Sequence, residues 1–270
     1  MVATDKIFAG SIPEIYERFL VPLIFESYAL DLAKRLAEYE PRDVLETATG
    51  TGVLTRAMVS RIPVNARIVA TDLNQPMLDH ARARLSRDNQ VEWRQADALA
   101  LPFPDQSFDV VACQFGVMFF PDKPQGYMET RRVLKPGGHF FFNVWDRISE
   151  NEFSDVVTEA LAALFPNDPP RFMARIPHGY HDVEQIREEL KAAGFAKVLI
   201  EAVDGKSKAS SPRDAAIAYC QGTPLRNEIV ARDASRLEEA TQKAAEALAR
   251  RFGTGAIEGR IRAFVLTAAR

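Results

Sequence analysis

The sequence predicts an α/β fold: a parallel sheet covered by helices on both faces. Two observations predict it. Short apolar runs of strand length alternate with helical stretches from residue 43 to 145, and the rhythm resumes at 182. The first of these runs ends in a loop of small residues that opens a helix, Glu46-Thr47-Ala48-Thr49-Gly50-Thr51-Gly52. At 270 residues, 47% apolar and 26% charged, the chain is long and apolar enough to bury a sizeable core. A net charge of −3 gives no bulk attraction to nucleic acid or to an anionic membrane. No run approaches the roughly 18 consecutive apolar residues of a membrane span. The first residues lack the basic and apolar regions of a secretion signal. Cys113 and Cys220 make neither a disulfide framework nor a four-ligand zinc site, so a reducing cytoplasm is the expected compartment.

The first forty residues read as helical. Ser11, Pro13 and Glu14 supply a cap, a first-turn proline and a capping-box acid, and Pro22 is expected to break this helix or start another running to about residue 38. Strands are expected at 43–47, 66–72, 90–95, 108–114 and 139–145. Helices are expected between them at 52–61, 75–86 and 123–133, with a sharp turn at Pro136-Gly137-Gly138. A helix at 152–165 is followed by a bend rich in proline. The helix at 182–193 stops at Gly194, and a strand covers 197–203. Residues 207–252 read as further helix, strongly amphipathic from 233 to 251, and 262–268 as a last strand. No linker-like run separates these blocks, so one domain is expected over 1–270. Its parts are a helical lid at 1–41, a core at 42–146, an inserted lid segment at 147–181, and a C-terminal part at 182–270 with a helical insertion at 207–255.

A βα turn made of small residues lets a ligand approach the main chain, and the amides at the start of the helix suit a polar or anionic group. Asp72 stands twenty residues beyond Gly52, at the end of the second strand. An acid at that distance can accept hydrogen bonds from both hydroxyls of a ribose. A dinucleotide fingerprint needs a third small residue, and Thr55 stands there instead, which disfavours a nicotinamide-dependent oxidoreductase.

Glu46–Gly52 resembles the first motif of class I S-adenosylmethionine-dependent methyltransferases. The resemblance continues through Asp72, Gln95-Ala96-Asp97-Ala98, Leu101-Pro102-Phe103 before Phe108-Asp109-Val110-Val111, and Arg132-Val133-Leu134-Lys135-Pro136-Gly137-Gly138. It is closest to the small-molecule branch that includes ubiquinone- and menaquinone-type C-methyltransferases. Ala48 departs from the pattern, standing where the first glycine usually does. The resemblance implies a Rossmann-like, seven-stranded, mostly parallel sheet in the order 3-2-1-4-5-7-6 with the last strand antiparallel. It implies S-adenosyl-L-methionine as cofactor. Thr47, Ala48, Thr49 and Gly50 would lie near the methionine part and Asp72 on the ribose. Leu73 and Met77 would flank the adenine, Asp97 and Ala98 would bind its edge, and Gln114 and Phe115 would lie beside the sulfonium. Tyr16 is expected to reach the carboxylate end of the cofactor.

Methyl transfer is a direct displacement that needs positioning and exclusion of water, with a base only if the acceptor must lose a proton. The candidates for that base are His178, His181 and Tyr16. No carboxylate or cysteine pattern accompanies the histidine pair, so no metal is expected. Gln114-Phe115-Gly116-Val117 occupies the position where nucleic-acid and amide-nitrogen methyltransferases carry Asn/Asp-Pro-Pro-aromatic. Asp168-Pro169-Pro170-Arg171 lies after the fifth strand and reads as a loop. The expected acceptor is therefore a small, apolar or aromatic molecule, not nucleic acid. A homodimer is left open as the assembly, as is a cofactor-binding protein without catalysis.

Overall fold

The computed structural model describes residues 5, 7, 8, 10–85 and 90–270. Residues 1–4, 6 and 9 of the expected helical start, and Ser86 at the expected end of the helix at 75–86, lie outside the described residues. In chain order the elements are α1 (Ile12–Ile15), a π-helical segment (Tyr16–Phe25), α2 (Glu26–Ala37), β1 (Asp43–Glu46), α3 (Val53–Val59), β2 (Arg67–Asp72), α4 (Gln75–Arg84), β3 (Val91–Gln95), β4 (Phe108–Gln114), α5 (Lys123–Val133), β5 (Leu134–Trp145), α6 (Glu152–Leu164), α7 (Phe172–Arg175), α8 (Val183–Ala192), β6 (Lys197–Ala209), α9 (Pro212–Gln221), α10 (Leu225–Arg232), α11 (Leu237–Phe252) and β7 (Ile257–Ala269).

The sheet has the strand order β3-β2-β1-β4-β5-β7-β6, as expected. The pairs β3–β2, β2–β1, β1–β4 and β4–β5 are parallel. β7 runs the other way: the Arg270 amide donates to the Gly138 carbonyl at the start of β5, and the Asp146 amide, just past the end of β5, donates to the Arg262 carbonyl. The N-terminal ends of β1 and β4 are pinned together by charge. Asp109 Oδ2 accepts from the amides of Arg42 and Asp43, and Lys135 Nζ bridges Asp43 and Asp109 at 2.8 and 2.9 Å.

The chain forms two compact units. One comprises Tyr28–Val144, His181–Val203 and Phe264–Arg270. Its core lies between α2, α3 and one sheet face: Leu32, Ala33, Leu36, Leu54 and Met58 pack with Val44, Ile68, Val110, Ala112, Phe141 and Val265. The long runs of buried β-branched and aromatic residues in β2, β4 and β5 are what a strand covered on both faces requires. The other unit takes the segment ending at Ser27 together with Trp145–Tyr180 and Asp204–Ala263. Here Phe153 of α6 packs edge-on to Phe252 of α11 and covers Gly259 of β7, where a side chain would collide with its ring. Arg175 holds the buried Asp5 with both terminal nitrogens and also reaches Glu228 of α10.

Three expectations are corrected. Pro22 neither breaks nor starts a helix; it lies inside the π-helical segment, and α1, that segment and α2 run on without interruption. A proline removes one N–H from a helical ladder, and the wider π turn accommodates its ring. Pro136-Gly137-Gly138 is an irregularity within β5, not a turn ahead of it: Leu134 pairs with Phe108 and His139 with Val110, so residues 135–138 bulge while β4 advances two. β6 and β7 are each 13 residues long, well beyond the expected 197–203 and 262–268. The alternation of buried and exposed residues in β7 from Ile257 to Val265 is that of a strand. Residues 204–209 of β6 (Asp204-Gly205-Lys206-Ser207-Lys208-Ala209) are mostly polar or small, with Asp204, Lys206 and Lys208 exposed, so they carry little apolar signal.

Candidate functional site

The loop after β1 folds as its small residues require. Ala48, Gly50 and Gly52 all have positive φ, at 53°, 57° and 81°. At Gly52 a β-carbon would sit 3.1 Å from Ala81 of α4 and 3.4 Å from Trp93, so the left-handed backbone and the close helix packing both call for glycine. Ala48 takes the same conformation with a side chain. Its β-carbon fills the space over Gly116, where an added β-carbon would come within 2.4 Å of it and 2.7 Å of Cys113 Sγ. The alanine in place of the usual glycine is thus matched by a glycine in the loop after β4. Gly116→Ala is expected to destabilise the protein by about 2 kcal/mol through overpacking. Part of that loss should return in the double variant with Ala48→Gly, as read from urea unfolding.

Below the loop lies a buried polar lock. Thr55 Oγ1 donates to Glu46 Oε2 at 2.6 Å and lies 2.8 Å from Thr49 Oγ1, and Thr71 Oγ1 donates to the Glu46 carbonyl at 2.9 Å. Thr55, which replaces the third small residue of a dinucleotide fingerprint, is this lock's hub. Burial pushes the Glu46 carboxyl up to about 7, against the pull of the two threonine hydroxyls. Thr47 is held in line by its amide, which donates to the Ala112 carbonyl.

Asp72 is brought directly to this loop. Its Oδ2 accepts from the Gly50 amide at 2.9 Å and its Oδ1 from the Asn74 amide at 2.8 Å. Burial raises its pKa, and these amides oppose the rise. Asn74 Nδ2 is a third donor, 3.4 Å from Oδ1. A carboxylate has about four acceptor positions, so one remains, and a second sugar hydroxyl would take the place of the long Asn74 side-chain bond. The loop after β3 is tied to the same point. The Ala96 amide donates to the Asp72 carbonyl, and Gln95 Nε2 donates to the Leu73 carbonyl. Asp97 is exposed and its Oδ1 caps the Leu99 amide, with Ala98 beside it. Leu73 is 43% exposed, whereas Met77 is buried on α4. The Leu101-Pro102-Phe103 segment is fixed by Arg132, which donates to the carbonyls of Leu101 and Phe103 and pairs with Glu129. These motif residues therefore have a structural task.

Gln114 ends β4 opposite Asn143 of β5. Phe115 follows with φ 53° and sets its ring edge-on to Tyr28, whose hydroxyl donates to the Val203 carbonyl. The remaining candidates divide. Tyr16 lies in the other unit, stacked on Phe25 with ring centroids 5.2 Å apart. His178 is buried in that unit, its Nδ1 2.8 Å from the Asp146 carbonyl. A carbonyl only accepts, so Nδ1 carries the proton and the lone pair of the neutral ring is on Nε2. His181 belongs to the unit with the loop and directly precedes Asp182, which caps α8 through the amides of Glu184 and Gln185. The Asp168 loop is bound to Arg232 of α10. No cluster of metal-ligating side chains is present among the described residues. None of their helices is long and apolar enough to cross a membrane. Sequence reasoning missed Thr51, whose buried hydroxyl has no hydrogen-bond partner among the described residues, and Asn143, treated below. A threonine between two glycines and an asparagine inside an aromatic run were the available signals.

Sheet order, loop and acid define a class I methyltransferase architecture. Residues 44–138 match a family described as a methyltransferase domain. The chain is 32% identical over 174 residues to the ubiquinone/menaquinone biosynthesis C-methyltransferase of Stenotrophomonas maltophilia, covering 60% of this chain and 69% of that protein. It is 37% identical over 139 residues to the demethylmenaquinone methyltransferase of Deinococcus radiodurans, covering 50% of this chain and 57% of that one, less than two thirds of its length. Among solved structures, phosphoethanolamine N-methyltransferase 2 of Haemonchus contortus with S-adenosyl-L-methionine superposes with a TM-score of 0.63 at 17% identity, over 100% of this chain and 60% of that one, a likeness of fold. The chain belongs to the S-adenosylmethionine-dependent methyltransferases.

Proposed function

We propose that this protein transfers a methyl group from S-adenosylmethionine to a small apolar or aromatic molecule. The observation that carries the reading is the Asp72 carboxylate, locked to the Gly50 amide at the small-residue loop, where a sugar hydroxyl can replace the long 3.4 Å bond from Asn74 Nδ2. The residues fit the group. Ala48, Thr49, Gly50 and the buried, unsatisfied Thr51 hydroxyl would meet the polar methionine end, and Asp72 the ribose. Leu73 and Asp97-Ala98 would meet the adenine. When bound, S-adenosylmethionine supplies an electrophilic methyl on a sulfonium.

The names of the two relatives point to quinone precursors as the acceptor class, and the aromatic pair of Phe115 after β4 and Tyr28 on α2 suits a flat apolar ring. Titration calorimetry of the purified chain with S-adenosylmethionine, S-adenosylhomocysteine and NAD tests the cofactor. Binding of the first two and none of the third is expected, and NAD binding alone would refute the reading. S-adenosylhomocysteine formation with phenols and reduced quinone precursors then separates a catalyst from a binding protein.

A further inference from the structure

Asn143 is fully buried on β5, and neither its Oδ1 nor its Nδ2 has a hydrogen-bond partner among the described residues. A buried carboxamide in that state costs desolvation free energy that a leucine of similar size would not. Apart from the Thr51 hydroxyl, the buried polar side chains of the Gly50 loop and its surroundings are bonded: Thr49 and Thr55 to each other, Thr71 to the Glu46 carbonyl, Asp72 to two amides. Its place explains what such a residue could do. In register, Glu46 pairs with Ala112 and Ala112 with Phe141; one step on, Gln114 pairs with Asn143. Asn143 therefore lies two residues beyond the level of Glu46, at the edge of the sheet where the Ala48 loop leaves β1, and two strand spacings across, about 10 Å. The acids that would hold adenosine lie on the other side of β1, on and after β2 and β3. The transferring end of the cofactor then points toward β4 and β5, where Phe115 and Tyr28 present apolar rings.

We propose that Asn143 is an acceptor-binding residue: its carboxamide hydrogen-bonds a ring hydroxyl of the methyl acceptor and so sets which ring atom faces the methyl. The proposal rests on the cofactor reading above. An uncharged group able to both donate and accept suits a neutral phenolic oxygen and gives a charged ammonium or carboxylate no counter-ion.

The test compares wild type and Asn143→Leu, each as the full chain, with naphthalene-1,4-diol and 4-methoxy-1-naphthol as acceptors. The leucine variant should bind S-adenosylhomocysteine within about twofold of wild type and unfold at equal or higher urea, because it removes an unsatisfied polar group. Its kcat/KM for the diol should fall about 10- to 100-fold, the worth of one lost hydrogen bond. Blocking one hydroxyl as the methyl ether should cost wild type and leave the variant indifferent. Unchanged kcat/KM in Asn143→Leu overturns the proposal. So does a loss of S-adenosylhomocysteine affinity in step with activity, or a wild type that binds the cofactor yet neither binds nor methylates the diol. A wild type that does not bind S-adenosylmethionine overturns the cofactor reading itself.

Discussion

Asp72→Ala is expected to weaken S-adenosylmethionine binding by ~2–3 kcal/mol, through loss of the charge-assisted hydrogen bonds to the ribose hydroxyls. The same carboxylate holds the Gly50 and Asn74 amides, so alanine also loosens the loop that would receive the methionine end. Asp72→Asn separates the two effects. The amide side chain keeps the shape and one acceptor oxygen but loses the charge and half the acceptor capacity. The asparagine variant keeps one of the two amide hydrogen bonds and turns its NH2 on the other amide, so it should lose less unfolding free energy than alanine and still bind the cofactor markedly less well. Calorimetric affinity, read beside urea unfolding for both variants, checks this. Unchanged affinity in Asp72→Ala would remove Asp72 from the site and leave it as the clamp of the Gly50 loop alone.

The central part of the fold was legible because its signals are local. Phe108-Asp109-Val110-Val111 gave β4 and the stretch beginning at Lys123 gave α5, both with the boundaries expected, since each couples an apolar pattern to a clear stop or cap. The Gly50 loop and Asp72 were legible as neighbours because a βαβ unit brings the ends of successive parallel strands to one edge. What was not legible depends on partners far away in the chain. The outer halves of β6 and β7 owe their strand character to pairing. Pro22 stays helical because the turn around it widens. The fit of Ala48 to Gly116 joins residues 68 positions apart, and neither one alone announces the other. Asn143 was hidden in His139–Trp145 because one polar residue in an aromatic strand reads as tolerance, whereas the fold gives it no hydrogen-bond partner among the described residues and seats it opposite Gln114.

Glu46→Gln is expected to flatten the dependence of stability on pH. Burial is the main cause of the raised Glu46 pKa, reinforced by the nearby Asp72 charge and opposed by Thr55, Thr49 and Arg56. The folded chain holds this proton up to about 7, while an unfolded carboxyl releases it near its ordinary value of 4.5. Between those two values the folded state binds more protons than the unfolded state, so the contribution of Glu46 to stability falls as pH rises through the window and is level above it. The shift corresponds to ~3 kcal/mol across the window. Glutamine has the same shape, still accepts from the Thr55 hydroxyl and has no proton to lose. At pH 5 the variant and wild type should therefore unfold with similar free energy. At pH 8 the variant should be the more stable by up to ~3 kcal/mol, less whatever the threonine hydroxyls gain from bonding a charge. Urea unfolding of both proteins at the two pH values isolates the effect, because every other titrating group is common to both and cancels in the difference. Parallel pH profiles would mean that Glu46 is ionised in the fold at all pH values tested, with the buried threonines holding a carboxylate.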